Sequence, residues 1–394
     1  MLIDIIKHAA ENIYGKVVRD RRHLHAHPEL SFCEYETAAY IKSRLDEMGI
    51  PWEAVAGTGV TAVIRGELPS EEVMVLRADI DALPITELGA PSYVSRNTGV
   101  MHACGHDAHT ASLLGTAAIL RSIRGEFGGT VKLLFQPGEE TLPGGASLLL
   151  KEGVLDGLQR SAIIGQHVMP GLECGKVGVR SGKFMASMDQ LAVTVYGKGG
   201  HGATPHLNID PVTISAQILV ALQQLVSRMA NPTMPTVLSF GKVIANGAVN
   251  VIPDQVYMEG TFRTLDEGWR SEAHVRMKQM AETIASAMGG SCEFVITRGY
   301  PFLNNDERLA AQVTTWAEEY LGAGQVVDPG IWMAAEDFAY YAQVAEGCFY
   351  LLGTGNEEKD TRHSLHSANF DIDEDAFHIS TGLMAYLALR RLGN

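Results

Sequence analysis

The sequence predicts an α/β protein. The expected architecture is one domain with a mixed, mostly parallel sheet flanked by helices, and a second, ferredoxin-like domain inserted into it. Three observations predict this. Short apolar runs at Val60–Arg65, Val73–Arg77, Val131–Phe135 and Ala162–Gly165 are separated by helical segments, the alternation of a sheet covered on both faces. From about residue 184 to residue 297 the order changes to β-α-β-β-α-β, the ferredoxin-like unit. Polar residues suited to chemistry follow the strand-like runs, and ligands bind at the carboxyl ends of such strands.

The elements follow in chain order. Residues 4–19 read as an amphipathic helix rather than a signal peptide, because acids and bases are mixed through MLIDIIKHAAENIYGKVVRD. Residues 34–49 read as a second helix, with Ala38, Ile41, Leu45 and Met48 at helical spacing and a stop at Gly49. Between them His23, His25 and His27 alternate ahead of Pro28, a pattern that reads as a structural turn. The apolar run Ala108–Ile123 reads as a buried helix. In the inserted segment, Asp189–Tyr196, Thr236–Ile244, Gln255–Thr264 and Cys292–Thr297 read as strands. Asp210 caps a helix that has Pro211 at its first position. A second helix carries Ala273, Met277, Met280, Ile284 and Met288 on one stripe, read as core. The chain then returns to the first domain, with helices at Asp306–Tyr320 and Asp375–Leu392 and a buried strand at Cys348–Leu352. The expected domains are thus 1–183 with 298–394, and 184–297.

Composition bounds the function. The chain has 394 residues, with 31 basic and 46 acidic side chains and a net charge of −15. That balance argues against nucleic acid or an anionic membrane as partner. The five cysteines are odd in number and scattered, which predicts a reduced, cytoplasmic setting rather than a disulfide framework.

The chemistry concentrates in Gly99–Thr110, GVMHACGHDAHT, which holds His102, Cys104, His106, Asp107 and His109. Cys104 and His106 flank a glycine, so both can turn toward one point, and thiolate with imidazole suits Zn, Ni, Co or Mn. Further ligands must come from elsewhere in the chain. Glu139 and Glu140 follow one strand, and His167 follows another. His366 lies in the polar loop Thr361–Ser367. Adjacent carboxylates point in different directions, so one can bind metal while the other takes a proton from water. Asp81 could fix a ligand imidazole. His201, in the glycine-rich GKGGHGATPH, is a candidate for steadying an oxyanion. Arg263 could clamp a substrate carboxylate.

Taken in order, RADIDALP, GVMHACGHDAHT, FQPGEE, GKGGHGATPH, NVIPD, GTFR, AAEDF and LHS resemble the metal-dependent amidohydrolases. That family includes hippurate hydrolase, N-acyl-L-amino-acid amidohydrolase and auxin-conjugate hydrolase, within the aminoacylase and carboxypeptidase clan. The resemblance implies one or two divalent ions (Zn, Mn, Co or Ni) on Cys104, His106, Glu140, His167 and His366. It implies Glu139 as the catalytic glutamate, with His201 in support, and Asn250 and Arg263 as substrate contacts. It also implies a catalytic α/β domain with the inserted ferredoxin-like segment as its lid, an N-acyl amino acid as small-molecule substrate, and a homodimer or higher oligomer formed through the lid. Glu336 in AAEDF is left without a role. A dipeptidase, a pathway-specific deacetylase acting on N-acetyl-diaminopimelate, and an inactive ligand-binding homologue are the alternatives.

Overall fold

The computed structural model describes residues 2–157 and 161–393. Residues 1, 158–160 and 394, which fall within the expected catalytic segments, lie outside the described residues. The chain divides into two compact units. The larger comprises the chain up to Phe184, Asn304–Ile331 and the chain from Asp337 onward. The smaller comprises Met185–Leu303 and Trp332–Glu336.

The larger unit begins with helix α1 (Leu2–Ala26) and helix α2 (Tyr35–Glu47). Helix α1 runs through the stretch read as a turn, so His23 and His25 are helical. His27 follows the helix, and its backbone N–H donates to Leu24 O. Strands β1 (Trp52–Val55), β2 (Gly59–Arg65) and β3 (Leu68–Asp79) follow, then α3 (His106–Ser122), β4 (Gly128–Gln136), α4 (Gly145–Lys151), β5 (Ala162–Glu173), β6 (Val177–Gly178) and β7 (Gly182–Met185). Strand β5 continues well past Gly165, so Gln166 and His167 lie within it rather than beyond its end.

In the smaller unit the chain forms β8 (Asp189–Tyr196), β9 (Gly200–His201), α5 (Pro211–Gln224), β10 (Thr236–Ile244), β11 (Val251–Ile252), β12 (Gln255–Thr264), α6 (Glu267–Ala287) and β13 (Ser291–Arg298). Strands β10, β12, β8 and β13 pair in that order as an antiparallel sheet. Leu191, Val193 and Val195 of β8 pack in one core with Ile214, Ile218 and Leu222 of α5. Asp210 caps α5 by accepting from Val212 N at 2.9 Å, as its place before Pro211 predicts. The α6 stripe lies on the core at Ala273 and Met277, with Met280 and Ile284 half-buried against it, but Met288 is exposed, and Ala281 and Ala285 complete the buried row. The i, i+4 row faces the sheet, and the methionines after Met277 lie at its margin. The unit also reaches past residue 297, because Met188 N donates to Tyr300 O and Arg270 Nη2 donates to Gly299 O. It takes in 332–336 through Ala186 N donating to Ala334 O and the Met185–Trp332 bridge.

The chain closes the larger unit with β14 (Leu303–Asn305), α7 (Glu307–Leu321), β15 (Val326–Val327), α8 (Ala339–Ala342), β16 (Glu346–Gly355) and α9 (Phe377–Arg391). Its main sheet has the order β1-β2-β4-β3-β5-β16-β6-β15. The centre, β4-β3-β5-β16, is parallel, and antiparallel pairs flank it. Helix α3 is buried along nearly its whole length, and its buried polar residues are hydrogen-bonded, as with His109 to Asp79 and Thr116 to Ser112. Among the described residues no helix is long and apolar enough to cross a membrane.

Candidate metal centre

The site grows from the start of α3. Gly105 takes a left-handed backbone, φ 85°, which costs glycine nothing. That turn starts the helix at His106 and leaves Cys104 just ahead of it. Both side chains are buried.

The histidines are sorted by what their other nitrogen does. His106 Nδ1 lies 3.1 Å from Asp81 Oδ1, while its buried Nε2 has no hydrogen-bond partner among the described residues. His167 Nδ1 donates to Val168 O at 2.7 Å, and its Nε2 lies 3.4 Å from Cys104 Sγ. His366 Nε2 lies 3.3 Å from Cys104 Sγ and 3.3 Å from Glu140 Oε1. Its backbone is left-handed, φ 63°, held by its N–H donating to Ala103 O at 2.8 Å. Strain of that kind in a non-glycine residue persists only where its surroundings enforce it.

Among the described residues, potential ligand atoms within 4.8 Å of one another form overlapping groups: Cys104 with His106 and His167, Cys104 with Glu140 and His366, His106 with Glu139 and Glu140, Asp79 with His106 and His109, and Glu139 with Glu336 and Asp337. Cys104 and His106 link the first three groups, so the five expected ligands converge in the larger unit, with Glu139 buried beside them. The residues present fit a divalent cation. One thiol, three imidazoles and a carboxylate make a borderline-soft donor set, and His106 Nε2 is buried with no hydrogen-bond partner among the described residues. The electrostatics agree. Burial would lower the His106 pKa, yet Asp79, Asp81 and Glu140 push it up to about 10. Burial, then Glu140 and Glu139, push the Cys104 thiol well up. That surplus of negative charge is what a cation offsets, and a cation inverts the pKa of a coordinating thiol.

The other members of the motif leave the ligand set. His109 Nδ1 meets Asp79 Oδ1 at 2.6 Å, and its Nε2 accepts from Val168 N at 2.9 Å. Both nitrogens are spent on holding the residue beside His167. Asp107 accepts from Arg21 Nε at 2.8 Å and meets His25 Nδ1 at 2.8 Å. His25 is therefore half of a buried ion-pair network, not a turn residue. His102 is buried and pushed down to about 4 by that burial, and it joins none of the ligand groups.

Asp81 serves several neighbours at once. Its Oδ2 accepts from Ser31 Oγ at 2.7 Å and from Glu140 N at 3.0 Å, so it orients the His106 ring and the backbone of Glu140. The sequence reading missed a buried cluster beneath Glu139. Asp337 N donates to Glu139 Oε1 at 3.3 Å, and the Asp337 carboxylate accepts from Arg77, Gln136 and Ala146. The AAEDF motif was its only signal.

His201, Asn250 and Arg263 belong to the smaller unit. His201 is exposed on β9, which pairs with β11 through Val251. Its Nδ1 accepts from Ala203 N at 3.1 Å, so the ring proton sits on Nε2. Asn250 adjoins it, its carbonyl accepting from Gly202 N at 2.9 Å. Arg263 lies apart on β12, half-buried, with Nη1 3.3 Å from Met333 O. Among the described residues it has no acidic partner.

Against this geometry, the family model for peptidase family M20/M25/M40 matches residues 75–390. An N-acetyl-L-cysteine deacetylase of Bacillus subtilis is 42% identical over 373 residues, covering 94% of this chain and 87% of its own length. An N-acyl-L-amino acid amidohydrolase of Geobacillus stearothermophilus is 43% identical over 304 residues, covering 77% and 81%. Among solved structures, the YXEP protein of Bacillus subtilis, a dinuclear metal-binding peptidase of the M20 family, superposes with a TM-score of 0.83. It is 37% identical, covering 97% of this chain and 99% of that one.

Proposed function

Because the chain belongs to peptidase family M20/M25/M40 and is an amidohydrolase, we propose that it cleaves N-acyl amino acids. The products are a carboxylate and a free amino acid. The observation that carries this is the convergence of Cys104, His106, Glu140, His167 and His366 with Glu139 buried beside them. Divalent ions on those five residues would lower the pKa of a water and polarise the acyl carbonyl. A thiolate in the set favours Zn, Co or Ni, with Mn the harder alternative.

Glu139 takes the proton of the attacking water and returns it to the leaving amine. Asp81 keeps His106 in the tautomer that presents Nε2. His201 steadies the oxyanion from Nε2–H, with Asn250 as its neighbour on substrate. Arg263 holds the amino acid carboxylate, a role supported by its lack of any acidic partner among the described residues. The five cysteines are free, which supports a cytoplasmic, reducing setting. Exposed Val243, Ile244, Val249 and Val251 on the smaller unit support a homodimer formed through it, which light scattering tests.

The function is tested by stripping the protein with chelator and adding back Zn, Co, Mn or Ni singly. N-acetyl, N-benzoyl and N-indoleacetyl amino acids are then assayed beside dipeptides. Metal-restored cleavage of an acyl amino acid is expected. Restored cleavage of dipeptides or of N-acetyl-diaminopimelate alone would replace this reading with one of those activities. Metal uptake without any cleavage would overturn it.

A further inference from the structure

We propose that Asp337 is the positioning residue of Glu139: its clamped carboxylate fixes the peptide N–H that holds the Glu139 side chain. The inference rests on the reading of Glu139 as the base, and adds how that base is aimed.

Asp337 is wholly buried. Its Oδ1 accepts from Arg77 Nη2 at 2.8 Å and Gln136 Nε2 at 2.9 Å. Its Oδ2 accepts from Gln136 Nε2 at 2.8 Å and Ala146 N at 2.9 Å. Strands β3 and β4 and the start of α4 thus all donate to one carboxylate. The partners are themselves fixed. Arg77 spends Nε on Gln136 Oε1 at 2.9 Å and Nη1 on Asp79 Oδ2 at 2.6 Å. Tyr341 Oη donates to Gln136 Oε1 at 3.1 Å. A buried group with so many charge-assisted partners has one geometry open to it.

That rigidity is placed where it acts on the base. The Asp337 N–H is 3.3 Å from Glu139 Oε1. Glu139 lies buried in the loop after β4, with that N–H against its carboxylate. Asp337 is also the residue at which the chain re-enters the larger unit after Trp332–Glu336, so the clamp on its carboxylate sets where that N–H stands. A base displaced by about 1 Å costs roughly 10²-fold in rate.

The test is a double-mutant cycle on the metal-loaded enzyme, comparing wild type, Asp337→Asn, Glu139→Gln and the double variant. The Asp337→Asn change sets an NH₂ group against the donors around it and loosens the clamp. kcat, KM and bound metal are measured for each. The expected result for Asp337→Asn is a roughly 10²-fold loss of kcat, with KM and metal content near wild type. In the Glu139→Gln background the same change adds almost nothing, because groups acting as a unit are non-additive. An equal loss of kcat in both backgrounds, or a loss confined to KM or metal content, would overturn the proposal. Wild-type turnover by Glu139→Gln would instead sink the base assignment itself, and the proposal with it. Arg77→Lys provides a second cycle should Asp337→Asn not fold, since a single ammonium does not reproduce the guanidinium fork.

Discussion

Asp81 Oδ1 lies 3.1 Å from His106 Nδ1, and that contact decides which nitrogen of His106 faces the ligand cluster. Removing the carboxylate frees the ring to turn and lets Nδ1 compete. Asp81→Ala should weaken metal binding by roughly 10- to 100-fold. Competition with a chromophoric chelator measures it. Unchanged affinity would mean that packing alone orients the ring.

Arg263 is the cation assigned to the substrate carboxylate. Charge-assisted hydrogen bonds contribute about 1.5–3 kcal/mol, so Arg263→Ala should raise KM for N-acyl amino acids by roughly 10- to 100-fold. The matching N-acyl amino acid amides, which lack the carboxylate, should lose much less. Equal losses on acid and amide would place Arg263 elsewhere in the chemistry.

Gly105 supports the whole constellation. A Cβ there would stand 2.3 Å from Val168 Cγ2 and 3.3 Å from Phe370 Cζ, on a backbone at φ 85°. Gly105→Ala should therefore destabilise the fold by about 1–3 kcal/mol, read as a lower denaturation midpoint. The same shift should displace His106 and Cys104 and lower metal content.

Asp189 anchors the smaller unit. It takes Arg270 Nη2 on Oδ1 at 2.6 Å and His274 Nε2 on Oδ2 at 2.7 Å. Burial alone would raise its pKa, but His274 and Arg270 outweigh burial and hold it below the ordinary value. A depressed carboxylate pKa contributes stability above its unfolded value of about 4, and that contribution fades as pH falls below it. Asp189→Asn leaves buried Arg270 with Glu267 as its carboxylate partner, 3.1 Å from Nη1, and removes the charge-assisted bonds to Asp189, so it should cost about 1.5–3 kcal/mol at pH 7. The gap to wild type should narrow on acidification in denaturant titrations, whereas a constant gap would assign the loss to packing.

What the sequence made legible was local. The strands Asp189–Tyr196, Thr236–Ile244 and Gln255–Thr264 stand at the residues their alternation marks, because period and turn chemistry are written into neighbouring positions. The turn that brings Cys104 and His106 together was legible for the same reason, since the two flank Gly105. Long-range pairings were not. The reading of His25 as part of a turn missed a partner, Asp107, that lies 82 residues away. Strand β5 runs on through His167 because β16 pairs with it as far as Glu173, which no local signal beyond Gly165 announces. The role of Asp337 depends on Arg77, 260 residues earlier, so AAEDF could be noticed but not interpreted. Glu139 and Glu140 are equivalent as letters. Only the groups they join, and the Asp81 contact to Glu140 N, separate them.

That separation of base from ligand is the core of the proposed mechanism. The most direct measurement is bound metal and turnover, determined on the same samples of Glu139→Gln and Glu140→Gln. The account predicts that Glu139→Gln keeps its metal and loses turnover by at least about 10²-fold, whereas Glu140→Gln loses metal first and activity with it. Metal lost from Glu139→Gln but retained by Glu140→Gln would reverse the two roles and contradict the proposed mechanism.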